Sequence, residues 1–241
     1  METLDAYRIE LSKDEINELP MASYGGPICL VDNEKDLDGA LDLLADDRVL
    51  GLDTEMRPCF ERGKQPYPTA LLQLAGAQAA VLIRLKNVPV TGRLAALLAA
   101  PHILKVGVAI GDDMWLLRRT AEFTAAGLVD LAHTARQAGL RTLGLRSLAA
   151  NFLGVRISKS SQCSNWEKPE LSPQQVLYAA TDAWIGREIY LKMKEIPGFS
   201  FEPSSISAPC SVRKRARNSF HRRERRSFLS GQVDLTTEAL A

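Results

Sequence analysis

Two carboxylates stand at the end of the short apolar stretch Val49–Leu52. They are Asp53 and Glu55, separated only by Thr54. If the stretch is a β-strand, residues two apart point to the same face, so these two side chains project next to each other. Adjacent carboxylates repel unless a cation lies between them, and Mg²⁺ is a hard cation that prefers oxygen ligands. The stretch therefore predicts either a metal site or a strand end whose acidic residues simply meet water.

Length and composition are typical of a soluble globular protein. The 241 residues suffice for one sizeable domain, or for one domain with a tail, and 46% are hydrophobic and 24% charged. No apolar run reaches the length of a membrane span, and the polar, acidic residues 1–11 are unlike a secretory signal. Four scattered cysteines without a C-x-x-C pair argue against a zinc site or a disulfide framework. We therefore expect a cytoplasmic protein with no membrane partner.

Charge is distributed unevenly along the chain. Residues 201–241 contain eight Lys or Arg and four Asp or Glu, which leaves 22 basic and 25 acidic residues in 1–200. A mildly acidic body is not the usual footprint of a passive nucleic-acid-binding protein, but it fits an enzyme whose acidic site is neutralised by metal. The basic clusters at 213–217 and 222–226 are either part of a solvated tail or an arm that binds phosphate. In a eukaryotic protein they would also allow a nuclear location.

Strands alternate with helices between residues 28 and 195, which predicts an α/β domain. Residues 69–75 and 79–83 have the pattern of two strands joined by a tight turn, so the central sheet should be mixed. The last helix should begin at Pro173, with Ser172 as N-cap, and extend to about Lys194. Other predicted elements are strands near 27–31, 49–55, 103–108 and 128–131, and helices near 35–46, 93–99, 112–117, 131–138 and 145–152. We divide the chain into a lead-in (1–26), a folded domain (27–197) and a basic tail expected to be disordered (198–241).

Three further positions complete a pattern with the first two carboxylates. Asp113 begins a helix just after a buried strand, where either it or Asp112 would also serve as a helix cap. Tyr178 and Asp182 share a face of the last helix, because residues i and i+4 are neighbours there. For Tyr178 alone, a core tyrosine with its hydroxyl at the rim is the simpler interpretation. Together, four carboxylates from separate elements and a tyrosine form the set expected of a two-metal phosphodiester site.

The residues around these positions resemble the three motifs of the DEDD superfamily of 3′–5′ exonucleases. Leu52–Glu55 resembles the first motif, Lys105–Trp115 the second, and Tyr178–Ala183 the third in its tyrosine-bearing form. The branch it resembles includes the exonuclease domain of the Werner syndrome protein and ribonuclease D, and the resemblance covers residues 28–195. It implies an RNase H-like fold and the removal of nucleotides from the 3′ end of DNA or RNA with two Mg²⁺ or Mn²⁺ ions.

The resemblance also implies roles for individual residues. The metal ligands by this correspondence would be Asp53, Glu55, Asp113 and Asp182. Asp113 is preferred to Asp112 because the family's aspartate lies two residues before a tryptophan, here Trp115. Tyr178 would position the attacking water, and because its ordinary pKa is about 10 it is a hydrogen-bonding residue rather than a base.

Substrate-binding residues are expected beside the same site. Backbone groups of Thr54 through Met56 would contact the last nucleotide, and Met56 is either a wedge against its base or a core residue. Lys159 and Arg156 belong to a polar connector that is either an exposed loop or a phosphate contact. The competing functions are a catalytically silent nucleic-acid-binding module and a partner-recruiting protein that acts through its basic tail. Loss of a motif carboxylate would favour the silent module, and none is lost.

Overall fold

Among the residues that the computed structural model describes, 3–61 and 65–206, seven strands form one mixed sheet. They are β1 (Ile28–Val31), β2 (Val49–Met56), β3 (Thr69–Ala75), β4 (Ala80–Arg84), β5 (Leu104–Gly107), β6 (Ala125–Asp130) and β7 (Ser204–Ile206). Their order across the sheet is β1-β4-β3-β2-β5-β6-β7. Strands β2, β3 and β4 form an antiparallel meander, whereas β2, β5 and β6 run parallel. The mixed α/β architecture predicted from the sequence is therefore confirmed.

Helices flank this sheet in the same part of the chain. They are α1 (Lys13–Glu18), α2 (Leu37–Asp42), α3 (Gly92–Ala99), α4 (Ile110–Leu117), α5 (Leu131–Gln137), α6 (Leu145–Leu153) and α7 (Pro173–Glu195). The long helix α7 begins as predicted, with the Ser172 hydroxyl and the Gln175 side chain forming a capping box. Helix α2 is shorter than predicted because the chain enters it through a 3₁₀ turn, Glu34–Asp36, that Asn33 caps. None of these helices combines the length and the apolar character that crossing a bilayer requires.

Hydrophobic side chains cover both faces of the sheet. On one face, Leu52, Leu72 and Leu74 pack with residues of α2, α3 and α4. On the other face, Leu71 and Ala75 pack with residues of α7. Every residue of β3 is buried, as expected of a strand that is covered on both sides. Helices α2, α3 and α4 therefore cover one face of β2 and β3, and α7 covers the other face.

The close approach of α7 to β2 depends on Gly51. A Cβ atom added at this position would lie 1.9 Å from the carbonyl oxygen of Ala183, a distance at which backbone atoms would have to move. Ala179, Ala180 and Ala183 are fully buried in the same interface, where their small side chains also allow close packing. This contact places the middle of α7, with Asp182, directly beside the end of β2.

The lead-in contributes to the packed structure rather than preceding it as irregular chain. The ring of Tyr7 stacks on that of Phe152, with centroids 4.8 Å apart. The backbone N–H of Tyr24 donates to the hydroxyl of Thr181 at 3.0 Å, one residue before Asp182. Residues 3–26 are thereby attached to α6 and α7.

The folded structure also continues beyond residue 197, where the sequence prediction ended the domain. Phe199 packs edge-on against Phe152 and Phe201 against Tyr190, with centroids 5.7 and 5.0 Å apart. Strand β7, which the sequence did not predict, then pairs antiparallel with β6. The strand was not predictable from the Ser/Pro-rich composition of 203–211. It is only three residues long, and the strand with which it pairs is remote in sequence. Both basic clusters of the tail lie outside the described residues.

Candidate active site

Three carboxylates converge where β2 meets α7. Strand β2 carries Asp53 and Glu55, and α7 carries Asp182. Each offers one oxygen such that the three oxygens lie within 4.8 Å of one another. Asp53 and Glu55 are half-buried and Asp182 is buried. The structure therefore brings together three of the four acidic residues that the sequence selected.

The fourth acidic residue, Asp113, lies beside this group on α4. Its Oδ1 atom accepts a hydrogen bond of 2.7 Å from the hydroxyl of Thr54. Successive residues of a strand point to opposite faces, so the side chain of Thr54 lies on the face of β2 opposite to Asp53 and Glu55. That face is the one that packs against α4. From the sequence, Thr54 was expected to contact substrate, and its bond to Asp113 was not predicted. The bond connects the first and second motifs through a side chain.

Neither Asp112 nor Asp113 caps α4, so that alternative is wrong. The helix begins at Ile110, two residues earlier than predicted, and its N-cap residue is Ala109 in the left-handed conformation with φ of 62°. The backbone N–H of Ala109 donates a hydrogen bond to Oδ1 of Asp130 at 3.3 Å. Asp113 is consequently in the body of the first turn and half-buried, whereas Asp112 is exposed.

Burial and mutual repulsion make the site unfavourable for its own negative charges. Burial raises the pKa of Asp53 to about 7. Burial and then the charge of Asp53 raise the pKa of Asp113 and of Asp182 well above the ordinary value. Hydrogen bonds from Thr54 to Asp113 and from Tyr178 to Asp182 oppose the rise. No Lys or Arg contributes to these pKa changes among the described residues.

This arrangement fits a hard divalent cation. The Oδ1 atom of Asp182 is buried and has no hydrogen-bond partner within 3–61 and 65–206. A buried acceptor without a partner is costly, and a cation would satisfy it together with the neighbouring oxygens. All of the converging ligand atoms are carboxylate oxygens, the donor type that Mg²⁺ and Mn²⁺ favour. The residues present therefore suit a divalent-metal centre.

Tyr178 lies one turn before Asp182 and contacts its carboxylate. The charges of Asp182, Glu55 and Asp53 all act on the Tyr178 hydroxyl, and Tyr178 is 8% exposed, so this hydroxyl lies close to the acidic group. Burial, followed by the charges of Asp182 and Glu55, raises the pKa of Tyr178 far above its ordinary value. The hydroxyl therefore stays protonated at neutral pH and is able to donate a hydrogen bond.

The structure also gives the surroundings of the remaining residues that were predicted to bind substrate. Met56 is half-buried at a β-bulge where the pairing of β2 with β3 shifts. Lys159 is exposed on the connector before α7. Arg156 donates from Nε to the carbonyl of Leu19 at 2.8 Å, so its guanidinium is attached to the lead-in. Lys159 is thus the more accessible of the two cations on this connector.

Two segments meet just beyond the C-terminal end of β2. Arg57, directly after β2, lies 3.5 Å from the Glu167 carboxylate in the segment before α7. Its guanidinium also lies 4.8 Å from the centre of the Tyr67 ring. Both groups of the ion pair are partly exposed, so the contact contributes little to stability. It does place a cation beside the end of the strand that carries Asp53 and Glu55.

Sequence reasoning also missed Gln73, which is fully buried on β3. In the antiparallel register its direct partner on β2 is Asp53. The available signal was the single amide inside the otherwise apolar run Ala70–Ala75, since a buried polar side chain needs a partner.

The family comparison agrees with this geometry. Residues 28–196 match the family model described as 3′-5′ exonuclease. The chain belongs to the 3′–5′ exonuclease family. The match includes all three predicted motifs, and it confirms the predicted family. The family implies divalent metal ions, in agreement with the acidic cluster.

Individual relatives support the same assignment. The mouse bifunctional 3′-5′ exonuclease/ATP-dependent helicase WRN is 31% identical over 181 residues, which are 71% of this chain and 13% of the relative. Ribonuclease D of Haemophilus influenzae is 32% identical over 144 residues, 59% of this chain and 35% of the relative. The chain thus spans a minor part of both relatives. The catalytic core of RRP6 from Trypanosoma brucei has a TM-score of 0.65 at 19% identity, covering 80% of this chain and 52% of that one. This last similarity concerns the fold alone and confirms the predicted RNase H-like exonuclease architecture.

Proposed function

We propose that this chain removes nucleotides from the 3′ end of DNA or RNA by metal-dependent hydrolysis of phosphodiester bonds. The observation that carries the proposal is the convergence of Asp53, Glu55 and Asp182, whose oxygens lie within 4.8 Å of one another. Within residues 3–61 and 65–206, no cationic side chain acts on the pKa of either aspartate. Membership of the 3′–5′ exonuclease family supports it.

The proposal assigns two ions, Mg²⁺ or Mn²⁺, to four ligands. The proposed ligands are Asp53, Glu55, Asp113 and Asp182. Asp53 is the central one, because its charge acts on both Asp113 and Asp182. When bound, such ions activate water at neutral pH and stabilise the attacking and leaving oxygens of the phosphodiester.

The chain's own residues prepare this site in three ways. The Thr54 hydroxyl holds the Asp113 carboxylate and favours its ionised form. The Tyr178 hydroxyl remains protonated and orients the attacking water by hydrogen bonding, since its raised pKa makes it unsuitable as a base. Burial of Asp182, and partial burial of the other three carboxylates, limits competing water and so strengthens electrostatic interactions in the site.

Substrate would enter from the side where β2 ends. Backbone groups of Thr54 through Met56 are proposed to contact the terminal nucleotide, and exposed Lys159 to contact a phosphate. Phosphate contacts position a nucleic acid without reading its sequence. This arrangement suits exonucleolytic removal of successive nucleotides, and it leaves both DNA and RNA as substrates.

Digestion of matched, end-labelled single- and double-stranded DNA and RNA tests the proposal. The four substrates are incubated with Mg²⁺, with Mn²⁺ or with EDTA, and products are resolved by length. We expect stepwise shortening from the 3′ end with metal, none with EDTA, and none with a folded Asp182→Asn variant. Shortening from the 5′ end, internal cleavage, or robust activity of the variant would contradict the proposal.

A further inference from the structure

Gln73 is a buried amide without a partner. It is 0% exposed, and neither its Nε2 nor its Oε1 atom forms a hydrogen bond to the described residues. Buried polar groups in proteins are nearly always hydrogen-bonded, because an unsatisfied group forfeits its hydration. The position is in the middle of β3 and remote from the strand ends, so solvent does not supply the missing bonds. Gln73 therefore needs hydrogen-bond partners that the described residues do not supply.

The sheet register directs this amide toward the proposed metal site. Gln73 is the direct cross-strand partner of Asp53. Residues opposite each other in an antiparallel pair project to the same face, with Cβ atoms about 4.5–5.5 Å apart. That face also carries Leu71 and Ala75, which pack against α7, the helix of Asp182. Among the described residues, Gln73 is thus an uncharged polar side chain directly beside the central carboxylate.

A second buried polar group without a partner belongs to the hydrophobic cluster on this side of β3. The indole N–H of Trp166 is buried and also lacks a partner in the described ranges. Trp166 packs in the same cluster as Leu71 and Tyr178, 6.0 Å from the Tyr178 ring. An indole is only a donor and an ionised carboxylate only an acceptor, whereas glutamine provides both functions. The amide N–H groups of Gln73 can therefore donate to the Asp53 carboxylate, while its amide oxygen can accept from a donor such as an indole N–H.

We propose that Gln73 is a positioning residue for Asp53, donating from its amide to that carboxylate directly or through one buried water when the site holds its cation. The inference rests on the proposed function, since it concerns the loaded form of the same site. Ligating carboxylates are commonly held by hydrogen bonds from neighbouring groups, and loss of such a bond typically reduces metal affinity 10- to 100-fold. Gln73 would thereby fix the orientation of Asp53.

The test compares Gln73→Met with Leu74→Met in the full-length protein. Methionine keeps the length of glutamine without its polar atoms, and Leu74 is an adjacent, fully buried residue on the opposite face of β3. Mn²⁺ binding is measured by calorimetry and thermal unfolding is measured without metal. For Gln73→Met we expect Mn²⁺ affinity roughly 10- to 100-fold weaker, with a metal-free melting temperature equal to or above wild type. Leu74→Met should bind Mn²⁺ like wild type.

Mn²⁺ affinity of Gln73→Met equal to wild type would overturn the inference. A purely structural role of Gln73 would instead lower the melting temperature and leave metal binding unchanged. If Gln73→Met does not fold, selective ¹⁵N labelling of glutamine side chains in the wild-type protein decides the question. The Gln73 side-chain NH₂ signal should shift on addition of Mg²⁺, and an unmoved signal would overturn the inference. A wild-type protein that binds neither ion would refute the proposed function itself, which is a separate result.

Discussion

Replacement of Thr54 by valine should weaken metal binding without unfolding the protein. The Thr54 hydroxyl donates to Asp113 at 2.7 Å, Thr54 is 8% exposed, and Asp113 is half-buried. Hydrogen bonds to charged groups contribute about 1.5–3 kcal/mol. Because this bond favours the ionised carboxylate that a cation requires, its loss should raise the Mn²⁺ concentration for half-maximal turnover roughly 10- to 150-fold.

The same substitution should also change the pH at which activity is lost on acidification. The bond lowers the pKa of Asp113, so its removal raises that pKa and protonation begins at a higher pH. We therefore expect the activity of Thr54→Val to fall off at a higher pH than that of wild type. Turnover on a short end-labelled oligonucleotide, measured against Mn²⁺ concentration at several pH values, gives both quantities.

Two control variants isolate the hydroxyl of Thr54. Thr54→Ser keeps the donor and should restore the Mn²⁺ dependence of wild type. Thr69→Val removes another buried threonine hydroxyl from the sheet, one that has no hydrogen-bond partner among the described residues. It should leave the Mn²⁺ dependence unchanged. Wild-type Mn²⁺ dependence in Thr54→Val, or an equal loss in Thr69→Val, would refute the reasoning.

Three further predictions concern other residues. Tyr178→Phe should reduce turnover by about 10²–10⁴-fold with little change in substrate binding, as judged by single-turnover kinetics; wild-type turnover would show that Tyr178 only packs. Asp113→Asn should abolish activity whereas Asp112→Asn, at an exposed position, should retain it; the reverse result in the Mn²⁺-dependent assay would mean that the motif alignment through Trp115 is wrong. Burial lowers the pKa of Lys105 to about 8. Between about pH 8 and 10.5 the unfolded protein therefore binds more protons than the folded protein, so the free energy of unfolding should rise with pH in that window. Urea unfolding should show this rise in wild type and not in Lys105→Met, and equal pH dependence of the two would contradict it.

Local patterns predicted much of the site. Asp53 and Glu55 are two apart on a strand, and Tyr178 and Asp182 are four apart on a helix, so each pair is fixed by the period of its element. The start of α7 followed from Ser172 and Pro173 because capping is also local. These features need no knowledge of tertiary packing.

The connections between elements were not predictable in the same way. The bond between Thr54 and Asp113 joins residues 59 positions apart and depends on where α4 packs. The early start of α4 depends on Ala109 in a left-handed conformation, which is uncommon for a residue other than glycine, and on its bond to Asp130 of β6. The pairing of Asp53 with Gln73 required the register of β2 and β3, which alternating polarity does not reveal in a strand buried on both faces.

The most direct test of the central claim is the location of Mn²⁺ by anomalous diffraction in crystals grown with a nucleoside monophosphate. The proposal predicts two peaks about 3.5–4 Å apart, with Asp53 contacting both, Asp182 on one side and Asp113 on the other. Asp53→Asn crystals treated in the same way should lose at least one peak. The absence of Mn²⁺ beside β2 in the wild-type protein, or peaks that do not involve Asp53, would contradict the two-metal assignment.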